Sequence, residues 1–369
     1  MTNPPVLSAK DFIYIAILVA AFALSCALTP LMRRFATRVG IVDRPDGKRK
    51  LQSRAVPYLG GVAIVVSFLV AATAALTAIG EVTRIYAVTV IGTILMCALG
   101  LVDDIVDMKP YIKFGGQVLI ATLTVVFGGA VEYVTLFGKF VPLGVLSAPL
   151  TVLWIVLVVN AVNMIDGLDG LACGISAFSL MAMFVSSLVN GDIVSAVTCC
   201  ALCGAALGFL PYNLTPASIF MGDSGAMALG YVMAAVSVFG FAKGPALISV
   251  VIPALMLAVP VTDAVRLFFE RLLKRRNPFS SDRLHIHHRL IDMGMTPRQA
   301  VQTLYLISSA FAVSAVIYIR YRLASFIIAA VAFAILLCLR FLPKLPKLKK
   351  RDVMSSAKAD DGEGKDENI

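Results

Sequence analysis

The chain has 369 residues, of which 59% are hydrophobic and only 15% charged. A soluble domain is about half apolar and about a quarter charged, so the composition excludes an ordinary soluble protein, although the length would allow two such domains. The net charge of +10 is read by location before it is read as affinity for nucleic acid.

The first apolar run, from about Phe12 to Met32, is long enough to cross a membrane and is followed by Arg33 and Arg34. It reads as a retained first helix rather than a cleaved signal. Further candidate spans follow near 56–78, 82–102, 114–130, 147–163, 172–189, 193–212, 224–242, 245–266, 300–319 and 323–341. The expectation is an all-α, polytopic integral membrane protein with about eleven transmembrane helices. One membrane domain covers 1–343, and the polar, charged tail 344–369 is expected to be disordered. Between the fourth and fifth spans, Val131–Leu146 alternates weakly around Gly138, as in a short hairpin. Thr296-Pro297-Arg298-Gln299 combines an N-cap, a Pro at the first helical position and a capping-box Gln, which marks a helix start. Cys200 and Cys203 form a C-x-x-C inside an apolar run and read as small helix residues. The seven cysteines show no zinc or disulfide pattern.

Lys and Arg set the orientation. With the N-terminus outside, most of the 32 basic residues fall in the segments after spans one, three, nine and eleven. The C-terminus is then inside, and the basic charge needs no nucleic-acid partner. Polar residues collect on that same inner face. Asp103 and Asp104 end span three; Asn160, Asn163, Asp166 and Asp169 end span five; Asn213 and Asp223 bracket the next inner loop. The only histidines, His285, His287 and His288, lie in the loop after span nine.

Each group has a plain structural reading and a chemical one. The Asp103-Asp104 pair is either a solvated helix end or a site for metal or proton chemistry. Ile105 to Met108 hold no Arg or Lys, so no local partner neutralises the pair. Asn160, Asn163 and Asp166, spaced by three, can line one helix face. Gly167 and Gly170 then bring backbone N–H groups within reach of a ligand. Asp223, in Phe220-Met221-Gly222-Asp223, is either an N-cap or a carboxylate ligand for Mg2+. Phe220 either anchors the helix at the interface or stacks on a base. The histidine run follows Arg283 among many cations, which suits pyrophosphate better than zinc. Carboxylates, amides and Arg/His groups beside a lipid phase fit phosphoryl transfer between a soluble nucleotide and a lipid phosphate. No G-x-x-x-x-G-K-[ST] occurs, which disfavours a P-loop machine.

Taken in order, these motifs resemble the polyprenyl-phosphate N-acetylhexosamine-1-phosphate transferases, within glycosyltransferase family 4. The likeness runs from about Arg33 to Arg298. It rests on Asp43-Arg44-Pro45 with Pro57-Tyr58-Leu59-Gly60-Gly61, Gly100 to Asp104, Asn160 to Leu171, Asn213 to Asp223, and Pro278 to Arg283 with the histidine run. The His-x-His-His form is similar to the undecaprenyl-phosphate N-acetylglucosamine 1-phosphate transferase branch. The chain departs from that branch after Arg49-Lys50, where Leu51-Gln52-Ser53 stands in place of a frequent His.

The resemblance implies a reaction and roles. A sugar 1-phosphate passes from a UDP-N-acetylhexosamine to undecaprenyl phosphate, with UMP leaving, at the inner membrane of a bacterium. Asp103, Asp104, His285, His287 and His288 would be catalytic. Asn163, Asp166, Gly167, Asp169, Asn213, Phe220 and Arg283 would bind substrate. Asp223 would ligate Mg2+, with Mn2+ as the alternative ion. A homodimer is open. Two other readings stand beside this one: a phospho-N-acetylmuramoyl-pentapeptide transferase, and a membrane transporter with carboxylates near mid-span.

Overall fold

The computed structural model describes residues 9–43, 55–136, 139–240, 253–273 and 285–341. Its helices are α1 (Ala9–Val39), α2 (Gly60–Ala78), α3 (Arg84–Val106), α4 (Pro110–Gly128), α5 (Ser147–Ile165), α6 (Leu171–Val189), α7 (Ile193–Asn213), α8 (Gly222–Phe239), α9 (Ala258–Leu273), α10 (Ile286–Asp292), α11 (Pro297–Tyr318) and α12 (Arg322–Phe341). Ten of them, all but α9 and α10, are long and apolar enough to cross a membrane among the described residues. Backbone hydrogen bonds closed within each helix are what such a phase demands, so the chain is an all-α polytopic membrane protein.

The expected span near 245–266 is described only from residue 253, and the chain continues as α9 to Leu273. That helix carries Asp263, Arg266, Glu270 and Arg271, and it is amphipathic rather than uniformly apolar. The first helix also differs from its expected end. It runs on to Val39, so Arg33, Arg34 and Arg38 lie on its last turns and not in a loop. The tail 344–369 and Arg283 fall outside the described residues.

Two short antiparallel ribbons complete the fold. β1 (Val42–Asp43) pairs with β2 (Val56–Pro57) just before α2. β3 (Tyr133–Leu136) pairs with β4 (Lys139–Pro142), which is the hairpin expected between spans four and five. Cys200 and Cys203 are buried in α7, as small core residues. The capping box forms as expected: Thr296 N–H donates to Gln299 Oε1 at 2.9 Å and Gln299 N–H to Thr296 Oγ1 at 3.3 Å.

The core is organised around α8, which packs on α2, α3 and α5 and is buried almost along its whole length. Glycines set the closest approaches. A Cβ on Gly61 would run into the backbone of Gly225, and one on Gly100 would lie 2.5 Å from the Asp223 carbonyl and the Ser224 nitrogen. Side chains there would force α2 and α3 away from α8. In place of side chains there are backbone bonds. Gly60 N–H donates to Phe220 O at 3.0 Å, Gly61 N–H to Met221 O at 2.9 Å, and Phe220 N–H to Pro57 O at 2.9 Å. The loop before α8 is thereby fixed to the start of α2, and every group that follows hangs from it.

Candidate active site

The C-terminal end of α3, the first turn of α4, the C-terminal end of α5 and the first turn of α8 meet at one end of the bundle. Consecutive helix residues point about 100° apart, so Asp103 and Asp104 cannot share one task. Asp104 reaches α8, where its Oδ1 accepts from Asp223 N–H at 2.8 Å and its Oδ2 from Ser224 N–H at 3.1 Å. These are orphan donors of a helix start, and a carboxylate is their natural partner. The capping carboxylate of α8 is therefore Asp104, not Asp223.

Asp103 turns the other way. Its Oδ1 accepts from Met108 N–H at 2.8 Å, and its Oδ2 pairs with Lys113 Nζ at 2.8 Å. No cation within Ile105 to Met108 serves the pair, and the partner comes instead from the next helix. Asp107 takes a left-handed conformation, φ 52°, and the chain reverses into α4. That turn brings Lys113, ten positions after Asp103, back onto it. Lys113 also forms an ion pair with Asp223 Oδ2 and donates to Asn163 Oδ1 at 3.4 Å. Asn163 Nδ2 in turn donates to Asp223 Oδ1 at 2.9 Å. Asp103, Lys113, Asn163 and Asp223 so form one charged cluster drawn from four helices. Asn160 stands one turn deeper and donates to Gln117 Oε1 at 2.6 Å, so the expected Asn/Asp stripe splits.

Asp166 closes α5 at the edge of this cluster. The residue keeps some surface, but its carboxyl group is enclosed by protein. Burial first, then the charges of Asp223, Asp104 and Asp169, push it up to about 8. Asp169 is raised by burial, against which the Ala217 N–H, donating to its Oδ2 at 3.0 Å, works. Asn213 is buried and spends both ends of its amide on backbone. Its Oδ1 accepts from Gly170 N–H at 3.1 Å and its Nδ2 donates to Ile219 O at 3.1 Å. It clamps the loop after α5 to the loop before α8.

The histidines arrive over that loop. His287 is 1% exposed, and a Cβ on Gly167 would strike its Nε2. Among the described residues, neither ring nitrogen of His287 has a hydrogen-bond partner. Burial, then His288 and His285, hold its pKa well below the usual histidine range, so the ring is neutral at neutral pH. His288 lies 4.3 Å from His287, centroid to centroid. His285 is turned away, with its Nδ1 2.9 Å from Asp263 Oδ2 on α9.

Phe220 faces Tyr58 with ring centroids 6.0 Å apart at 48°. Burial and a hydrogen bond to Asp43 hold the Tyr58 phenol protonated, and Asp104 and Asp223 are close enough to add to the effect. Lys113 and Asp263 are site neighbours that no motif includes, and Asp43 and Tyr58 belong to the first-loop motif but carry no expected role there. In the sequence Lys113 is simply one of the basic residues after span three, and Asp263 gives no signal beyond being an acid in an apolar segment. A separate apolar cavity of about 330 Å³ lies between α3 and α4 near Arg84 and Phe127, at the other end of α3. It has no part in this cluster. Among the described residues no three His, Cys, Asp or Glu side chains stand ready as a metal-ligand set.

The family model for glycosyl transferase family 4 matches residues 86–241, which hold Asp103 to Asp223. A probable undecaprenyl-phosphate N-acetylglucosaminyl 1-phosphate transferase of Bacillus subtilis is 36% identical over 292 residues, covering 79% of this chain and 80% of the relative. The chain belongs to glycosyl transferase family 4, among its polyprenyl-phosphate N-acetylhexosamine-1-phosphate transferases. Two further relatives of this glycosyl transferase cover similar shares. An undecaprenyl-phosphate alpha-N-acetylglucosaminyl 1-phosphate transferase of Thermotoga maritima is 35% identical, over 72% of the chain and 78% of the relative. A decaprenyl-phosphate N-acetylglucosaminephosphotransferase of Mycolicibacterium smegmatis is 34% identical, over 75% of each. The clustered acids of this glycosyl transferase lie at helix ends, where a lipid-borne phosphate and a soluble substrate can both approach.

Proposed function

We propose that this glycosyl transferase moves N-acetylglucosamine 1-phosphate from its UDP donor to undecaprenyl phosphate at the cytoplasmic face of a bacterial inner membrane. The product would be a lipid-linked diphosphosugar that starts an envelope polysaccharide. The observation that carries the reading is the convergence of Asp103, Lys113, Asn163, Asp166 and Asp223 at one end of the bundle, with His287 packed over Gly167 beside Asp166. The names of the relatives supply the sugar and the lipid.

A lipid-phosphate oxygen would attack the sugar-linked phosphorus. One P–O bond forms there, the bond to the bridging oxygen breaks, and its electron pair leaves with UMP. The attacking monoester is already largely ionised near neutral pH, so it needs little help from a base. Lys113 would neutralise charge between Asp103 and Asp223. Asp104 would act through α8, whose first turn it holds. Asn163 would orient Asp223, and Asn213 would keep the Gly167 and Phe220 loops at a fixed distance. Phe220, beside Tyr58, would receive the uracil. His287 and His288, with Arg283, would meet the diphosphate or the sugar.

The donor chemistry fits Mg2+, or Mn2+ in its place. Carboxylates crowd around the Lys113 ammonium, and Asp166, lifted by burial and then by the charges of Asp223, Asp104 and Asp169, stands beside negative charge that a divalent cation relieves. Mg2+ usually takes one or two protein carboxylates and fills its shell with phosphate oxygens and water, so a three-residue cage is not required. Asp223 with Asp166 or Asp103 would hold it, and it would supply charge neutralisation on the diphosphate.

The transporter reading has less support, because the clustered acids sit at helix ends and not at mid-span. The decisive experiment incubates the purified protein with undecaprenyl phosphate, Mg2+ and a panel of UDP-sugars and measures UMP. UMP release with UDP-N-acetylglucosamine supports the proposal. Release only with UDP-N-acetylmuramoyl-pentapeptide, or with no donor, overturns it.

A further inference from the structure

The histidine segment is anchored from a helix that no motif includes. His285 is the N-cap residue of α10, but its side chain makes no capping bond. The imidazole instead meets Asp263 Oδ2 at 2.9 Å, with His285 and Asp263 both 8% exposed. The other oxygen of Asp263 faces Arg266 Nη2 at 3.3 Å, and Arg266 Nη1 lies 3.7 Å from Glu270. Asp263 is therefore itself held by Arg266 of its own helix, and Arg266 in turn by Glu270. Two positions on, the ring of His287 stacks with that of His285 at 5.6 Å and 11°. His287 is the buried imidazole over Gly167 whose two nitrogens have no partner among the described residues. A buried polar group without partners persists only where the surroundings fix it, and it is completed when a ligand arrives.

We propose that Asp263 is a positioning residue for the sugar-nucleotide side of the reaction: through His285 Nδ1 it sets the imidazole column that holds His287 over the Gly167 loop. This rests on the transfer reading above for its substrate, though not for its geometry. Asp263 touches no reacting atom. It fixes which nitrogen of His285 carries the proton, as carboxylates do for metal-bound and catalytic histidines. The geometry also divides the three histidines. His285 belongs to the support, and His287 and His288 to the ligand side.

The test uses the full chain in lipid nanodiscs with two readouts. The first is diethyl pyrocarbonate modification of His287, followed by mass spectrometry without substrate. Asp263→Ala and His285→Ala should each speed that modification about tenfold, because the segment opens more readily. Asp263→Asn should keep protection, since its amide oxygen still accepts from Nδ1–H. The second readout is UMP release. Asp263→Ala should lower kcat/KM for the UDP-sugar about a hundredfold, the scale of a small misplacement at a reacting centre, and leave KM for undecaprenyl phosphate unchanged. The double variant Asp263→Ala/His285→Ala should be no worse than the poorer single variant, because the two residues act as a unit. Unchanged protection of His287 in both alanine variants overturns the proposal. So does an Asparagine variant as impaired as alanine, or a double variant whose losses multiply. Labelling needs no substrate, so a wild-type chain that releases no UMP sinks the transfer reading while the labelling still decides the role of Asp263.

Discussion

Replacing Lys113 with Met keeps the length of the side chain and deletes a cation that Asp103 and Asp223 share. Breaking a buried ion pair by removing one partner costs about 3–5 kcal/mol, because the remaining charge is left uncompensated. Here Lys113 is 16% exposed and Asp103 11%, but Asp223 is 32% exposed, so solvent screens part of the loss. Asn163 also stays on Asp223. We therefore expect Lys113→Met to lose about 2–3 kcal/mol, toward the lower end of the buried-pair range. The assay is thermal unfolding of the purified protein in nanodiscs, once in chelator and once in excess Mg2+. The midpoint should fall by a few degrees in chelator, and Mg2+ should restore more stability to the variant than to the wild type, since the freed carboxylates gain most from a divalent ion. An unchanged midpoint, or an equal response to Mg2+, would refute the account of Lys113 as the cation that balances the cluster.

Three other outcomes follow from the same geometry. Asp166 is pushed up to about 8, against an ordinary value of about 3.9 in an unfolded chain, so the folded protein keeps a proton that the unfolded chain has released. Stability measured in chelator should then fall as pH rises from about 4 to about 8, and Asp166→Asn should flatten that slope; an identical slope in both proteins would show that Asp166 is not the titrating group. Gly100→Leu must part α3 from the first turn of α8, at a cost of at least about 1–3 kcal/mol with loss of UMP release, whereas Gly115→Leu, whose Cβ would meet nothing within 4 Å, should melt and turn over like the wild type. Phe220→Ala should weaken binding of the UDP-sugar by about 1–3 kcal/mol, the worth of one base on an aromatic ring, and leave undecaprenyl phosphate binding alone. Equal affinity for the nucleotide in that variant would remove Phe220 from the donor pocket.

Much of this site was legible because its acids, amides and imidazoles stand out against apolar helices. Asp103 and Asp223 do meet on Lys113, Asp166 lies close enough to feel the charge of Asp223, and His287 packs over Gly167, next to Asp166 in the chain. What the sequence hides is which of two neighbours turns which way. Asp103 and Asp104 look alike as letters, yet one step of helix rotation sends the first to Lys113 and the second to the start of α8. Lys113 escaped notice because its pairing depends on a reversal at Asp107, a left-handed residue that no composition rule flags. Asp263 lies 22 positions before His285 on a helix read as part of a span, and only the fold reveals that it supports the histidine segment. The α1 boundary was missed for a related reason: Arg33 and Arg34 end the apolar run but not the helix, since basic side chains tolerate helical turns beyond the lipid.

The burial of α8 also bears on how the protein is made. Among the ten spanning helices it is the least apolar, and it is the one most enclosed by the others. A segment of that kind gains little from lipid and much from its neighbours, so it has weak reason to leave the insertion machinery alone. α2, α3 and α5 all precede it in the chain and already form its socket. Biogenesis would thus wait on this helix, and the acidic pocket would come into being in the moment that α8 slides home.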